Sequence, residues 1–145
     1  MKIVLQRVSR ASVMVDGSVA GSIDRGYVVL LGISGNDDGS KVEKAVDKIR
    51  RLRIFPDESG KTNLSVADVN GEILIVSQFT LYADCRRGNR PSFTDAADPA
   101  LARELYNHFI KCATGKFARV EHGVFGADMK VELVNDGPFT VLLEI

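Results

Sequence analysis

A chain of 145 residues, 45% hydrophobic and 26% charged, holds enough apolar material for one self-supporting domain over residues 1–145 and lies far from the composition of disorder. Its 19 basic and 19 acidic side chains cancel, so a polyanion has to be gripped by a local patch, and a dedicated binder of duplex DNA is not expected. The opening MKIVLQRVSR has no apolar stretch long enough for a signal peptide, and no run approaches the roughly 18 apolar residues of a membrane span, so a cytosolic protein that stays off the membrane is expected.

Residues 2–15 read as a strand. Asp16-Gly17 turns it into a second strand at 18–23, and Asp24-Arg25-Gly26 into a third at 27–33, which makes the opening a β meander. The period then changes. Val42, Ala45, Val46, Ile49 and Leu52 follow helical spacing, Ser40 with Glu43 forms a capping box at the start, and the helix has to end before Pro56. Lys44, Lys48 and Arg51 on its other faces read as a solvated surface.

After a turn at 57–60, Asn70-Gly71 introduces Ile73-Leu74-Ile75-Val76, a short continuous apolar run that fits a strand buried on both faces. A second helix is announced by Asp98 as its N-cap and Pro99 at its first position. It carries Leu101, Leu105, Phe109 and Cys112 on one stripe and stops at Gly115. Strands at about 118–124, 129–134 and 139–145 complete the chain, the last two joined by a hairpin turn at Asn135-Asp136-Gly137-Pro138. Many strands with two main helices predict an α+β domain whose curved, barrel-like sheet is flanked by those helices.

Chemistry is sparse. His108 and His122 are the only histidines. With the cysteines read as remote from them and no HxH or HExxH spacing, neither a metal site nor a cofactor is expected. There is no GxSxG elbow, and the glycines at 32, 35 and 39 lack the Lys-Ser/Thr of a phosphate loop. Cys112 reads as core. Cys85 beside Arg86 and Arg87 is a candidate thiolate, since neighbouring cations favour the ionised sulfur.

Two segments fit scaffold less well. In Ser77-Gln78-Phe79-Thr80-Leu81 an apolar strand ends abruptly in three hydrogen-bonding side chains around one aromatic. In Asn135-Asp136-Gly137-Pro138-Phe139-Thr140 a proline follows the turn glycine and removes a ladder N–H where the last strand starts; a cis Gly-Pro bond would hold that turn in an uncommon shape.

These two segments, with Phe125-Gly126-Ala127-Asp128-Met129 between them, resemble the bacterial-type D-aminoacyl-tRNA deacylases, also called D-tyrosyl-tRNA deacylases, and the resemblance runs from Met1 to Ile145. It implies a homodimer in which a cis Gly137-Pro138 peptide projects from one subunit into the active site of the other. It also implies that Ser77, Gln78, Phe79 and Thr80 line the catalytic pocket, that Phe125 and Met129 hold the terminal adenosine of aminoacyl-tRNA, and that Arg7 supports the Gly-Pro loop. The implied reaction hydrolyses the ester of D-aminoacyl-tRNA by positioning, assisted by the RNA's own ribose hydroxyl, with L-residues rejected. A filter that works by excluding a side chain passes glycine, so glycyl-tRNA, including glycine mischarged on tRNA-Ala, is an expected substrate. Arg86, Arg87, Arg90 and the basic residues of the first helix are candidates for phosphate contacts. Two other readings stay open: a small-ester hydrolase using Cys85 or Thr80, and a non-catalytic module that binds RNA ends.

Overall fold

The computed structural model describes residues 1–86 and 88–145. Arg87, one of the candidate phosphate contacts, lies outside them. The chain runs through strands β1 (Lys2–Val15), β2 (Ser18–Ile23) and β3 (Gly26–Gly32), helix α1 (Gly39–Arg51), and strands β4 (Arg53–Pro56), β5 (Thr62–Ser65) and β6 (Glu72–Ser77). A 3-10 turn at Phe79–Tyr82 follows, then helix α2 (Pro99–Ala113) and strands β7 (Val120–His122) and β8 (Met129–Glu144).

The main sheet has the order β2-β1-β3-β6-β7, with β8 also paired to β1. Residues 2–8 of β1 pair with β3 and residues 11–15 with β2, while β8 follows β1 along nearly its whole length. β3 and β2 therefore share one edge of β1, and β8 occupies the other. The β3–β6 and β6–β7 pairs are parallel, and the other pairs in this sheet are antiparallel. Parallel neighbours need long crossovers, and the segments containing α1 and α2 supply them. The sheet curls until Gly21 of β2 comes close to Glu121 and His122 of β7, which nearly closes it into the expected barrel.

The core lies on both faces of the central strands. Tyr27, Val29, Leu31, Ile73 and Ile75 point toward α1 and α2 and meet Val42, Val46, Ile49, Leu105, Tyr106 and Phe109. Val28, Leu74 and Val76 point the other way, into the curl, against Val8, Val13 and Ile23. Alternating side chains of one strand thus enter different clusters, which explains why the apolar run at 73–76 is continuous. The close β3–β6 approach also requires glycine at position 26, because a Cβ there would collide with the backbone of Glu72.

Three expectations need correction. The first helix is not capped by Ser40 and Glu43: it starts at Gly39, and Asp38 is its N-cap, accepting from the Lys41 N–H at 2.9 Å. Asparaginyl and aspartyl groups cap at least as well as serine, and Asp38 stands one residue before the first helical position. The segment at 135–140 is not a hairpin. Thr140 pairs with Gln6 and Asn135 with Val8, both on the same antiparallel partner, so residues 136–139 bulge out opposite Arg7 alone and the strand then continues in its original direction. Finally, β4 and β5 form a separate two-stranded ladder around the turn at 57–60, where sequence periodicity predicts only the turn.

Candidate functional site

The carboxyl ends of the parallel strands β3 and β6 open into a cavity of about 570 Å³. Open sheets commonly bind ligands at such ends. Leu31, Val76 and Ser77 form its floor, Gln78 and Phe79 one wall, Phe93 and the first turn of α2 another, and residues 125–129 a third. Of the residues singled out in the sequence, the fold brings together Ser77, Gln78, Phe79, Phe125 and Met129. Thr80 stands just outside the lining, exposed.

Local physics explains this wall. Gln78 donates its N–H to Leu31 O at 2.8 Å, the last tie of β6 to β3, and the chain then tightens into the 3-10 turn. Among the described residues, no side chain caps the amino end of that turn. The Gln78 side-chain amide donates instead to Thr80 Oγ1. Phe79 is 58% exposed yet packs edge-on against Phe93 with ring centroids 5.0 Å apart, so its ring forms a fixed apolar wall facing the opening.

Phe125 is held from behind by α2. Its ring lies 5.7 Å from that of Tyr106, and the Arg103 guanidinium sits 5.2 Å over it. Tyr106 is buried, with its hydroxyl within reach of the carbonyls of Ile75 and Gly123, and burial pushes its ionisation well above the ordinary tyrosine range. It is a neutral post that fixes the floor and the aromatic wall together. Met129 fits because residue 123 is glycine: a Cβ there would collide with the Met129 sulfur.

Among the described residues, the only titratable one in the lining is Asp128. Cys85 is exposed and does not line the cavity. The arrangement offers apolar surface, main-chain donors and hydroxyl or amide groups, which suits positioning of a substrate rather than attack by a side chain.

Arg7, Gly137 and Pro138 lie outside this cavity. The Gly137-Pro138 bond is cis. Arg7 is buried beneath the bulge and donates from Nε to Asp136 O at 2.9 Å, from Nη2 to Gly137 O at 3.2 Å and from Nη1 to Ile54 O. Its guanidinium stacks 4.3 Å from the Phe139 ring centroid and pairs with the Asp136 carboxylate at 3.0 Å. Asn135 Nδ2 donates to Arg7 O at 2.8 Å, and Thr140 Oγ1 bonds to Gln6 Oε1. The asparagine and threonine flanking Gly-Pro thus pin both feet of the bulge to β1.

Other sequence candidates are dispersed. Arg86 is committed to Asp84 through Nε and Nη2, at 2.8 and 2.7 Å, while Arg90 is exposed. One cluster escaped the sequence reading. His108 and Cys112 are not remote from each other: they stand one helical turn apart on α2 and touch, with Glu43 of α1 beside them. The i, i+4 spacing was a visible signal for the pair, but nothing local pointed to Glu43.

A family model described as D-Tyr-tRNA(Tyr) deacylase matches residues 4–144. The chain belongs to that family, and by that membership it is an enzyme, a hydrolase of the aminoacyl-tRNA deacylase class. Curated relatives named D-aminoacyl-tRNA deacylase include one from Lactobacillus acidophilus, 54% identical over 100% of both chains. Another, from Koribacter versatilis, is 56% identical over 99% of this chain and 97% of its own. A solved structure described as c-Myc DNA Unwinding Element Binding Protein superposes with a TM-score of 0.94 at 46% identity, covering 100% of this chain and 99% of its own. A probable eukaryotic D-amino acid tRNA deacylase shares the fold, with a TM-score of 0.87 at 18% identity over 99% of this chain and 98% of its own.

Proposed function

We propose that this chain hydrolyses the ester joining a D-amino acid to the 3′ end of tRNA, working in the cytosol where aminoacyl-tRNA is made and used. The observation that carries the reading is the cavity itself. It gathers Ser77, Gln78 and Phe79 with Phe125 and Met129, and among the described residues its lining offers no histidine, lysine or cysteine to activate a nucleophile. An aminoacyl ester is already activated, so positioning and oxyanion stabilisation are what a protein has to add.

In this reading Phe125 and Met129 hold the terminal adenosine between apolar surfaces, and the ester lies along residues 77–80. Water attacks the carbonyl carbon while the neighbouring ribose hydroxyl orients it. The uncapped amides at Phe79 and Thr80 receive the developing oxyanion. The ester C–O bond then breaks, the ribose oxygen takes up the proton, and free amino acid and tRNA leave.

The Gly137-Pro138 peptide, supplied by the partner copy of a homodimer, reads chirality. Two observations support that role. The pair lies outside its own chain's cavity, and Arg7 holds the Asp136 and Gly137 carbonyls from below. A carbonyl has two lone pairs, so Gly137 O can accept from Arg7 and still accept from a substrate amine. An L side chain would meet the loop, a D side chain would point away, and glycine would pass, so glycyl-tRNA, including glycine mischarged on tRNA-Ala, is cleaved as well. The zero net charge argues against duplex DNA as a ligand.

The deciding assay follows amino-acid release from D-tyrosyl-tRNA, L-tyrosyl-tRNA and glycyl-tRNA. Cleavage of the D and glycyl substrates with the L substrate spared is expected, and equal rates on D and L, or none at all, would sink the reading. Thr80→Ala and Cys85→Ala should each stay within about tenfold of the parent rate, because losing a genuine nucleophile removes several orders of magnitude.

A further inference from the structure

The two helices enclose a second concavity, of about 650 Å³, whose lining shares no residue with the cavity described above. Glu43 and Asp47 of α1 face His108 and Cys112 of α2 across it. Cys112 Sγ lies 3.4 Å from His108 Nε2. The ligand atoms of Glu43, His108 and Cys112 all fall within 4.8 Å of one another, and the proposed deacylation uses none of them.

The His–Cys contact has hydrogen-bond length, and the Glu43 carboxylate of the other helix lies close enough for a single ion to reach all three groups. A tetrahedral ion with bonds of about 2.3 Å to sulfur and about 2.0 Å to nitrogen sets those two atoms roughly 3.5 Å apart, which is close to the spacing already present. Imidazole and thiolate select zinc-like ions over magnesium or calcium. Lys44, Lys111 and Lys116 also line the concavity and oppose any cation electrostatically, so affinity has to come from the sulfur, nitrogen and oxygen bonds themselves; Lys116 is drawn aside to Asp47 at 3.3 Å.

We propose that Glu43, His108 and Cys112 bind one zinc-class divalent ion, clamp α1 to α2 through it, and leave its fourth position to water. On binding, the Cys112 thiol gives its proton to solvent, and its thiolate, His108 Nε2 and one Glu43 oxygen donate to the metal, with no change of oxidation state. The clamp is independent of the deacylase reading.

Protein dialysed against chelator is titrated with Co2+ and followed by absorbance, then challenged with Zn2+. The expected result is a saturable one-to-one spectrum with tetrahedral d–d bands and a sulfur-to-cobalt charge-transfer band, bleached by Zn2+, together with a Tm several degrees higher in the zinc-loaded protein. Cys112→Ser should abolish the charge-transfer band, and His108→Ala should weaken binding more than about tenfold. Glu43→Gln, at an exposed position that leaves the fold intact, should weaken binding too, and Cys85→Ser should leave the titration unchanged. A titration without a saturable spectrum, or a charge-transfer band that survives Cys112→Ser, would overturn the proposal.

Discussion

Arg7 carries more connections than any other polar side chain in the core: three carbonyls, one carboxylate and the ring of Phe139. Lysine keeps the charge but not the rigid fork, so Arg7→Lys should behave much more like Arg7→Ala than like the parent. Each is expected to cost about 1.5–3 kcal/mol for the lost charge-assisted bonds, read from urea midpoints, and to lower the ratio of D- to L-tyrosyl-tRNA cleavage. An unchanged ratio in a folded variant would detach Arg7 from chirality. Gly123→Ala tests the proposed adenosine wall, because its Cβ would meet the sulfur of Met129, which lines the cavity, and force that side chain to shift. Overpacking of this kind costs about 1–3 kcal/mol, so KM should rise roughly tenfold with kcat little altered. Asp37 gives the fold a pH dependence. Burial alone would raise its pKa, but donors from the Met1 amine at 2.7 Å, the Ser34 N–H at 2.8 Å and Lys41 Nζ at 3.0 Å outweigh it and hold the carboxyl below the usual range. A depressed folded pKa means that this stabilisation is complete above the ordinary value of about 3.9 and is lost as the pH falls through the lower folded value. Urea midpoints between pH 7 and pH 3 should therefore fall more steeply for the parent than for Asp37→Asn.

Among the elements, the two helices differ in how openly the sequence announces them. α2 was legible at its start, because Asp98 and Pro99 are adjacent and act together: Asp98 accepts from Ala100 and Leu101 N–H at 2.9 and 3.2 Å, while Pro99 needs no partner. α1 was legible as a helix but not at its start: Ser40 with Glu43 fits the capping-box pattern, whereas the folded backbone places the cap two residues earlier, at Asp38. Asp38→Ala should cost about 1 kcal/mol of stability and Ser40→Ala much less, a difference that guanidinium denaturation resolves; the reverse order would restore the capping box. Strands buried on both faces, such as β6, were legible from their continuous apolar run. The β4–β5 ladder was not, because its strands span Arg53–Pro56 and Thr62–Ser65, four residues each and too short to display a period. The bulge in β8 was misread as a hairpin because turn-forming residues report that the chain leaves the ladder. Whether it rejoins the same partner is decided by β1, more than a hundred residues earlier.

At the scale of the whole molecule, β8 is the sheet's long outer strand, paired to β1 and presenting Val134 and Leu142 at 41% and 62% exposure. A long edge with exposed apolar side chains is a liability unless something covers it, and a second copy of the chain is the cover that the proposed mechanism requires. Leu142→Asp should shift the protein from dimer to monomer in sedimentation and lower deacylation in parallel; a monomeric parent would remove the shared site. How the cavity is assembled was the least legible part of the sequence. Ser77, Phe93, Pro99 and Phe125 become neighbours only because two parallel crossovers return the chain to the same end of the sheet, and no local pattern encodes that return. The bulge opposite Arg7 has one further consequence, in terms of mutational drift. Its proposed recognition surface is main chain, held by a guanidinium, an asparagine and a threonine that face away from the substrate. Most substitutions in this strand would alter side chains and leave those carbonyls where they are, so chiral selectivity should be hard to erode by single changes except at Arg7, Asn135, Gly137, Pro138 or Thr140.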